Sequence, residues 1–193
     1  MSSDFSIIIP ARYGSTRLPG KPLLLINNKP LIQHVFETAS ATKAKQIIVA
    51  TDDENICEKV ASFSGKAILT SPEHKSGTDR IVEVVEKLSF DDHEIIINLQ
   101  GDEFGLSPSL INQLALNLSK NADFDVATLC ERIDNMDEYT DPNVIKVVFN
   151  EKNKAIYFSR SPIPTDRAGG LPDEAYKHIG IYAYRVGYLK KIT

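Results

Sequence analysis

Short runs of isoleucine and valine set the tightest limit on what this chain can fold into. Phe5 to Pro10, Gln46 to Thr51 and Glu94 to Leu99 are each apolar almost without interruption. Strands that do not alternate apolar with polar residues are buried on both faces, as in a parallel sheet covered by helices. The intervening segments suit helices: 31–42, where Leu31, Val35 and Phe36 recur at helical spacing; 54–64; and a segment reaching Leu88 that Thr78 or Asp79 is placed to cap. Lys66 to Leu69 and Val126 to Cys130 read as further strands, and Ser109 to Lys120 as a helix capped by Ser107 ahead of Pro108. Strands alternating with helices predict an open, mostly parallel α/β sheet.

The later chain adds an antiparallel part. Ile145 to Phe149 and Ala155 to Ser159 flank the polar turn Asn150 to Asn153, a predicted hairpin. Tyr176 to Tyr184 is strand-like, and Val186 to Thr193 starts a helix. Residues 161–175, with three prolines and two adjacent glycines, form the best candidate for a mobile loop.

Sheets of this kind bind ligands at the carboxyl ends of their strands. The charged motifs fall there: Arg12 to Lys21, Asp52, Ser76 to Arg80, and Asp102. The first loop carries three cations, Arg12, Arg17 and Lys21, bracketed by Gly14 and Gly20. Backbone N–H groups and fixed cations converging after a strand make an anion site. The loop is not a Walker motif, because five residues separate Gly14 from Gly20 and Pro22 follows Lys21. A Gly-x-Gly-x-x-Gly fingerprint is also absent. A solvated basic loop is the plain alternative, and the density of cations and glycines favours a phosphate cradle. Asp102, a carboxylate at a strand end facing that loop, suits magnesium, which takes one or two carboxylates and fills its shell with phosphate oxygens and water. Glu103 is the alternative ligand. Ser76-Gly77-Thr78-Asp79-Arg80 offers hydroxyls and backbone groups, a pattern also common in ordinary turns.

The 193 residues suffice for one sizeable core. The net charge of −4 argues against nucleic acid or a membrane surface as partner for the chain as a whole. Cys57 and Cys130 fit no metal spacing or disulfide framework and read as buried thiols in a reducing compartment. No apolar stretch reaches the length of a membrane span, and the N-terminus has no charged leader pattern, so a cytoplasmic location is expected.

Residues 9–23, Ile-Pro-Ala-Arg-Tyr-Gly-Ser-Thr-Arg-Leu-Pro-Gly-Lys-Pro-Leu, resemble the signature loop of the sugar-acid cytidylyltransferases, nearest to those acting on 3-deoxy-manno-octulosonate (Kdo). Ala50 to Asp53, Ser76 to Arg80, Asn98 to Glu103, Tyr157 to Arg160 and His178 to Tyr182 extend the match in order. The resemblance implies a three-layer, Rossmann-like nucleotide-diphospho-sugar transferase fold with a mostly parallel, mixed sheet and a later β-hairpin. It implies one domain over 1–193, with a nucleotide part to about 125 and a sugar-binding and dimerisation part from about 126. The implied reaction is transfer of CMP from CTP to a sugar acid, with Mg2+ as cofactor. Arg12, Lys21 and Asp102 are then the catalytic residues, Asp102 as metal ligand. Arg12, Arg17, Lys21, Ser76, Gly77, Thr78 and Arg80 hold the nucleotide, and Gln100, Arg160, His178 and Tyr182 the sugar. A homodimer through residues 144–164 is expected.

Two departures stand out. Family members continue past the segment matching Tyr188 to Thr193 with an Asp-Thr-Pro-Glu-Asp-like stretch that supplies a second metal aspartate, and this sequence contains none. Phe104 follows Glu103 where the usual pattern has proline, which suggests altered sugar preference such as the 8-amino analogue of Kdo. The competing expectations are a sialic-acid or sugar-phosphate nucleotidyltransferase, and a nucleotide-binding module without catalysis.

Overall fold

The computed structural model describes residues 4–14, 18–103 and 105–193. The chain forms two compact units, one running to Ala127 and including Ile181–Thr193, the other Thr128–Gly180.

The first unit opens with β1 (Phe5–Ala11), buried along its whole length, and a 3-10 turn at Lys21–Leu23. A small hairpin follows, β2 (Leu25–Ile26) and β3 (Lys29–Pro30). Asn27 and Asn28 both take positive φ there, a two-residue hairpin geometry that asparagine tolerates. Next come α1 (Leu31–Ser40), β4 (Gln46–Thr51), α2 (Glu54–Ser62), β5 (Lys66–Leu69), α3 (Gly77–Lys87), β6 (Ile95–Asn98) and α4 (Pro108–Lys120).

β5, β4, β1 and β6 lie side by side and parallel, in that order. The first strand of the chain is therefore an interior one, with a parallel neighbour on each side, and ligand-binding loops leave the sheet from its carboxyl edge. The continuous isoleucine runs are explained by this placement: Ile8, Ile48, Ile96 and Ala50 pack with Ile81, Val84 and Val85 of α3 in one cluster. Ser107 caps α4 ahead of Pro108, as expected. The cap of α3 is Ser76, not Thr78 or Asp79. Asp79 is the return arm of a capping box, its Oδ2 accepting from the Ser76 N–H at 2.9 Å while Ser76 Oγ accepts from the Asp79 N–H at 3.1 Å.

After α4 the chain enters β7 (Val126–Arg132) and, in the second unit, α5 (Met136–Thr140), β8 (Lys146–Phe149) and β9 (Ala155–Ser159). β8 and β9 form the expected antiparallel hairpin, with a register irregularity after Val148. β10 (Tyr176–Arg185) pairs with β8 and β7 in this unit. Its later residues return to the first unit, where Tyr182 stands opposite Asn98 of β6 in antiparallel register, and lead into α6 (Val186–Leu189). The second unit has its own small core of Ile133, Tyr139 and Ala175, against which Leu171 packs. Residues 161–175 are thus anchored at one end by Leu171 and Ala175, and Tyr139 Oη donates to the carbonyl of Pro164.

Two expectations need correction. Cys130 is exposed, at the end of β7 where Glu131 and Arg132 are exposed as well, and Cys57 is only half-buried, so neither is a core thiol. Lys146, within a strand read as apolar, is fully buried; its ammonium donates to the carbonyls of Asp141 at 2.9 Å and Val144 at 2.7 Å. No helix among the described residues is long and apolar enough to cross a membrane.

Candidate active site

The first loop is built around the carboxyl end of β1. Gly20 sits in the left-handed region at φ 70° and closes the loop by donating its N–H to the Tyr13 carbonyl at 2.9 Å. A residue with a side chain is strained in that conformation. Gly14 carries no such requirement, since a Cβ there would meet nothing within 4 Å. The loop returns so that Lys21 Nζ lies 2.5 Å from Asp102 Oδ2. Both side chains are about half exposed, so this pair contributes at most about 1 kcal/mol and separates readily when a ligand competes.

Asp102 is placed by the segment after β6. That segment hugs β1, with the Gly101 N–H donating to the Pro10 carbonyl at 3.3 Å. A Cβ at Gly101 would lie 3.0 Å from that carbonyl oxygen and 3.3 Å from Ala11 Cβ. Only glycine lets the two strand ends run so close, and their closeness brings Asp102 to the cationic loop. Burial, and then the neighbouring Asp102 charge, push the Glu103 carboxyl above its ordinary value.

A cleft of about 170 Å3 opens at the carboxyl end of β1, and neither Lys21 nor Asp102 lines it. Pro10 and Arg12 form one wall, His74 to Gly77 with Arg80 another, and Gln100 also lines it. Five of the residues singled out from the sequence (Arg12, Ser76, Gly77, Arg80 and Gln100) therefore share one cavity. The capping box engages the Ser76 N–H and makes its hydroxyl oxygen an acceptor, which leaves the hydroxyl proton for a ligand. The first N–H groups of α3, those of Gly77 and Thr78, have no acceptor within the helix. Gln100 donates its amide to Asn98 Oδ1 at 3.0 Å, across from Tyr182.

Arg80 lines the cleft and is also held within the protein. Its side chain is 3% exposed. Nη2 donates to Asp52 Oδ2 at 2.8 Å, and Nη1 donates to Thr70 Oγ1 and to the Ser71 carbonyl. The loop between β5 and α3 is tied down a second time by Glu83, which accepts from the Ser71 N–H at 2.8 Å and pairs with His74 and Lys87. Burial alone would raise the Glu83 carboxyl, but Lys87, the Ser71 N–H and His74 together lower it to about 2.

In the second unit, Arg160 Nη1 donates to the Pro142 carbonyl at 2.8 Å. His178 Nε2 lies 2.9 Å from Thr128 Oγ1, its ring meets Phe158 edge-on at 5.0 Å, and burial lowers its pKa. Burial raises that of Tyr182. Arg17 and Phe104 lie outside the described residues. The sequence reading gave His74, Lys75 and Glu83 no role, although His74 and Lys75 directly precede Ser76 and line the cleft.

Among the described residues no cluster of three or more metal-ligating side chains occurs. Asp102 and Glu103 offer hard oxygen donors without a protein cage. That set fits a magnesium ion arriving with a triphosphate, most of whose ligands are phosphate oxygens and water.

A mostly parallel sheet whose first, interior strand feeds a cationic loop, with a cleft lined by a helix N-terminus, defines an α/β protein of the nucleotide-handling class. Comparison with known proteins narrows this. The family model for cytidylyltransferases matches residues 6–193. The chain is 53% identical to a 3-deoxy-manno-octulosonate cytidylyltransferase from Hahella chejuensis, over 97% of this chain and 77% of the relative. It is 47% identical to the same enzyme from Thioalkalivibrio sulfidiphilus, with equal coverage. The solved structure of CMP:2-keto-3-deoxy-manno-octonic acid synthetase complexed with CTP superposes with a TM-score of 0.91 at 47% identity, covering 98% of this chain and 77% of that one. A Leptospira borgpetersenii cytidylyltransferase, at 19% identity and a TM-score of 0.62, shares the fold. The chain belongs to the 3-deoxy-manno-octulosonate cytidylyltransferase family.

Proposed function

We propose that this chain transfers CMP from CTP to the anomeric hydroxyl of Kdo, releasing pyrophosphate and activating the sugar for lipopolysaccharide synthesis. The observation that carries this reading is the match, over 98% of this chain and 77% of the other, to a synthetase solved with CTP, with Arg12, Ser76, Gly77 and Gln100 around one cleft of this chain.

The sugar hydroxyl oxygen attacks the α-phosphorus in line as its proton passes to solvent, and the bond to the β-phosphate oxygen breaks, releasing pyrophosphate. Two anions must meet, so charge neutralisation dominates the barrier. Arg12 and Lys21 take the β- and γ-phosphates, with Lys21 leaving Asp102 to do so. The N–H groups of Gly77 and Thr78 and the Ser76 hydroxyl hold the cytidine nucleotide. Asp102 holds magnesium, which when bound spreads the charge of the phosphates. On the sugar side, Arg160 takes the carboxylate as a planar two-donor fork. Gln100, His178 and Tyr182 serve the hydroxyls.

The enzyme works as a homodimer in the cytoplasm. In support, Ile156, Tyr157 and Phe158 of β9 are exposed by 67%, 61% and 40%, more apolar surface than a single edge strand leaves open without a partner. The two free cysteines suit a reducing compartment. The test is pyrophosphate release with CTP, Mg2+ and either Kdo or its 8-amino analogue. Preference for Kdo supports the reading, and turnover of the 8-amino sugar alone would replace its substrate.

A further inference from the structure

We infer that Asp52 is a positioning residue of the nucleotide cleft, and that Arg80 acts through Asp52 rather than as a ligand of the nucleotide. This rests on the placement of CTP in that cleft.

Asp52 follows β4 directly, and its two oxygens serve two different walls. Oδ1 accepts the Tyr13 N–H at 3.0 Å, which fixes the backbone next to Arg12. Oδ2 accepts from Arg80 Nη2 at 2.8 Å, which fixes α3 three residues beyond its first residue, Gly77. The same guanidinium reaches Thr70 and the Ser71 carbonyl, where the loop carrying His74 and Lys75 begins. Asp53, beside it, is occupied as the cap of α2, accepting from the Ile56 N–H at 3.0 Å. Asp52 thus joins the phosphate loop, the start of the loop between β5 and α3, and the first turns of α3. Its side chain is 14% exposed and that of Arg80 3%. A buried ion pair is poor evidence for stability, because desolvation offsets the attraction, but removing one partner is disruptive. The Arg80 donors end on three protein oxygens, and the geometry assigns the group to tying the walls together at a fixed spacing.

The experiment measures CTP affinity by calorimetry, together with KM for CTP and for Kdo, on Asp52→Ala, Arg80→Met and the double variant. Asp52→Ala is expected to weaken CTP binding about tenfold, leaving KM for Kdo within about twofold. Adding Arg80→Met to Asp52→Ala should change CTP affinity by less than about twofold, since both changes break one device. Effects of the two substitutions that multiply would show that Arg80 itself binds the nucleotide and would overturn the inference. So would unchanged CTP affinity in Asp52→Ala, or a loss of kcat with both KM values unchanged, the signature of a smaller folded fraction. If Asp52→Ala does not fold, Asp52→Asn serves: it keeps an acceptor for Tyr13 and removes the charge facing Arg80. Its expected loss in CTP affinity is about threefold, and wild-type affinity in that variant would overturn the inference. Wild-type protein that fails to bind CTP would instead sink the functional reading itself.

Discussion

Replacing Glu83 with glutamine should loosen the loop that carries His74 to Ser76, and the size of the effect follows from its surroundings. The carboxylate accepts from the Ser71 N–H and pairs with Lys87 and His74. Against burial, these partners hold its pKa at about 2, where an ordinary glutamate has 4.5. At about 1.4 kcal/mol per pH unit that gap sets an upper bound of about 3 kcal/mol. Lys87 is half exposed, and screening brings the expected loss to about 1–2 kcal/mol. The folded value is lower than the unfolded one, so the contribution is complete above about pH 5 and fades as pH falls through 4.5 toward 2. Urea denaturation of wild type and Glu83→Gln, at several values between pH 6 and pH 3, reads this directly. The gap in unfolding free energy should shrink steadily on acidification, and KM for CTP should rise several-fold in the variant. A gap that stays constant with pH, or one below about 0.3 kcal/mol at pH 6, would refute the electrostatic reasoning.

Other outcomes follow from single contacts. Gly101→Ala puts a Cβ 3.0 Å from the Pro10 carbonyl oxygen, so the strand ends must part. Denaturation should show a loss of about 1–3 kcal/mol, and turnover should fall with the displacement of Asp102. Lys21→Met breaks only a half-exposed ion pair; stability should change by less than about 1 kcal/mol, while kcat/KM for CTP falls about a hundredfold. Arg160→Ala should raise KM for Kdo at least about tenfold with KM for CTP within about twofold, as steady-state kinetics with each substrate varied will show.

The parallel core was legible because isoleucine runs leave a strand no solvent face: β1 and β4 begin at Phe5 and Gln46 as expected, and β6 spans Ile95–Asn98 within the expected Glu94 to Leu99. Their carboxyl ends pointed to Arg12, Asp52 and Asp102 without any structure. What the sequence hid depends on distant partners. Ser76, Thr78 and Asp79 are all good capping types, and only the capping box shows which one caps. The ion pair of Arg80 was not legible because its carboxylate, Asp52, lies 28 positions earlier. Lys146 sits in an apolar strand, and no pattern announces that a nearby turn offers it two carbonyls. Cys130 is exposed because the last three residues of β7 are left uncovered on both faces, which the sequence pattern does not show, and α5, at five residues, is too short to show a helical period.

The most direct test of the account is product formation from radiolabelled CTP, Mg2+ and Kdo. It predicts CMP-Kdo and pyrophosphate in equal amounts, neither appearing when Kdo is left out and little of either when CTP is replaced by UTP. Pyrophosphate released without Kdo, or no CMP-Kdo when all three are supplied, would contradict it.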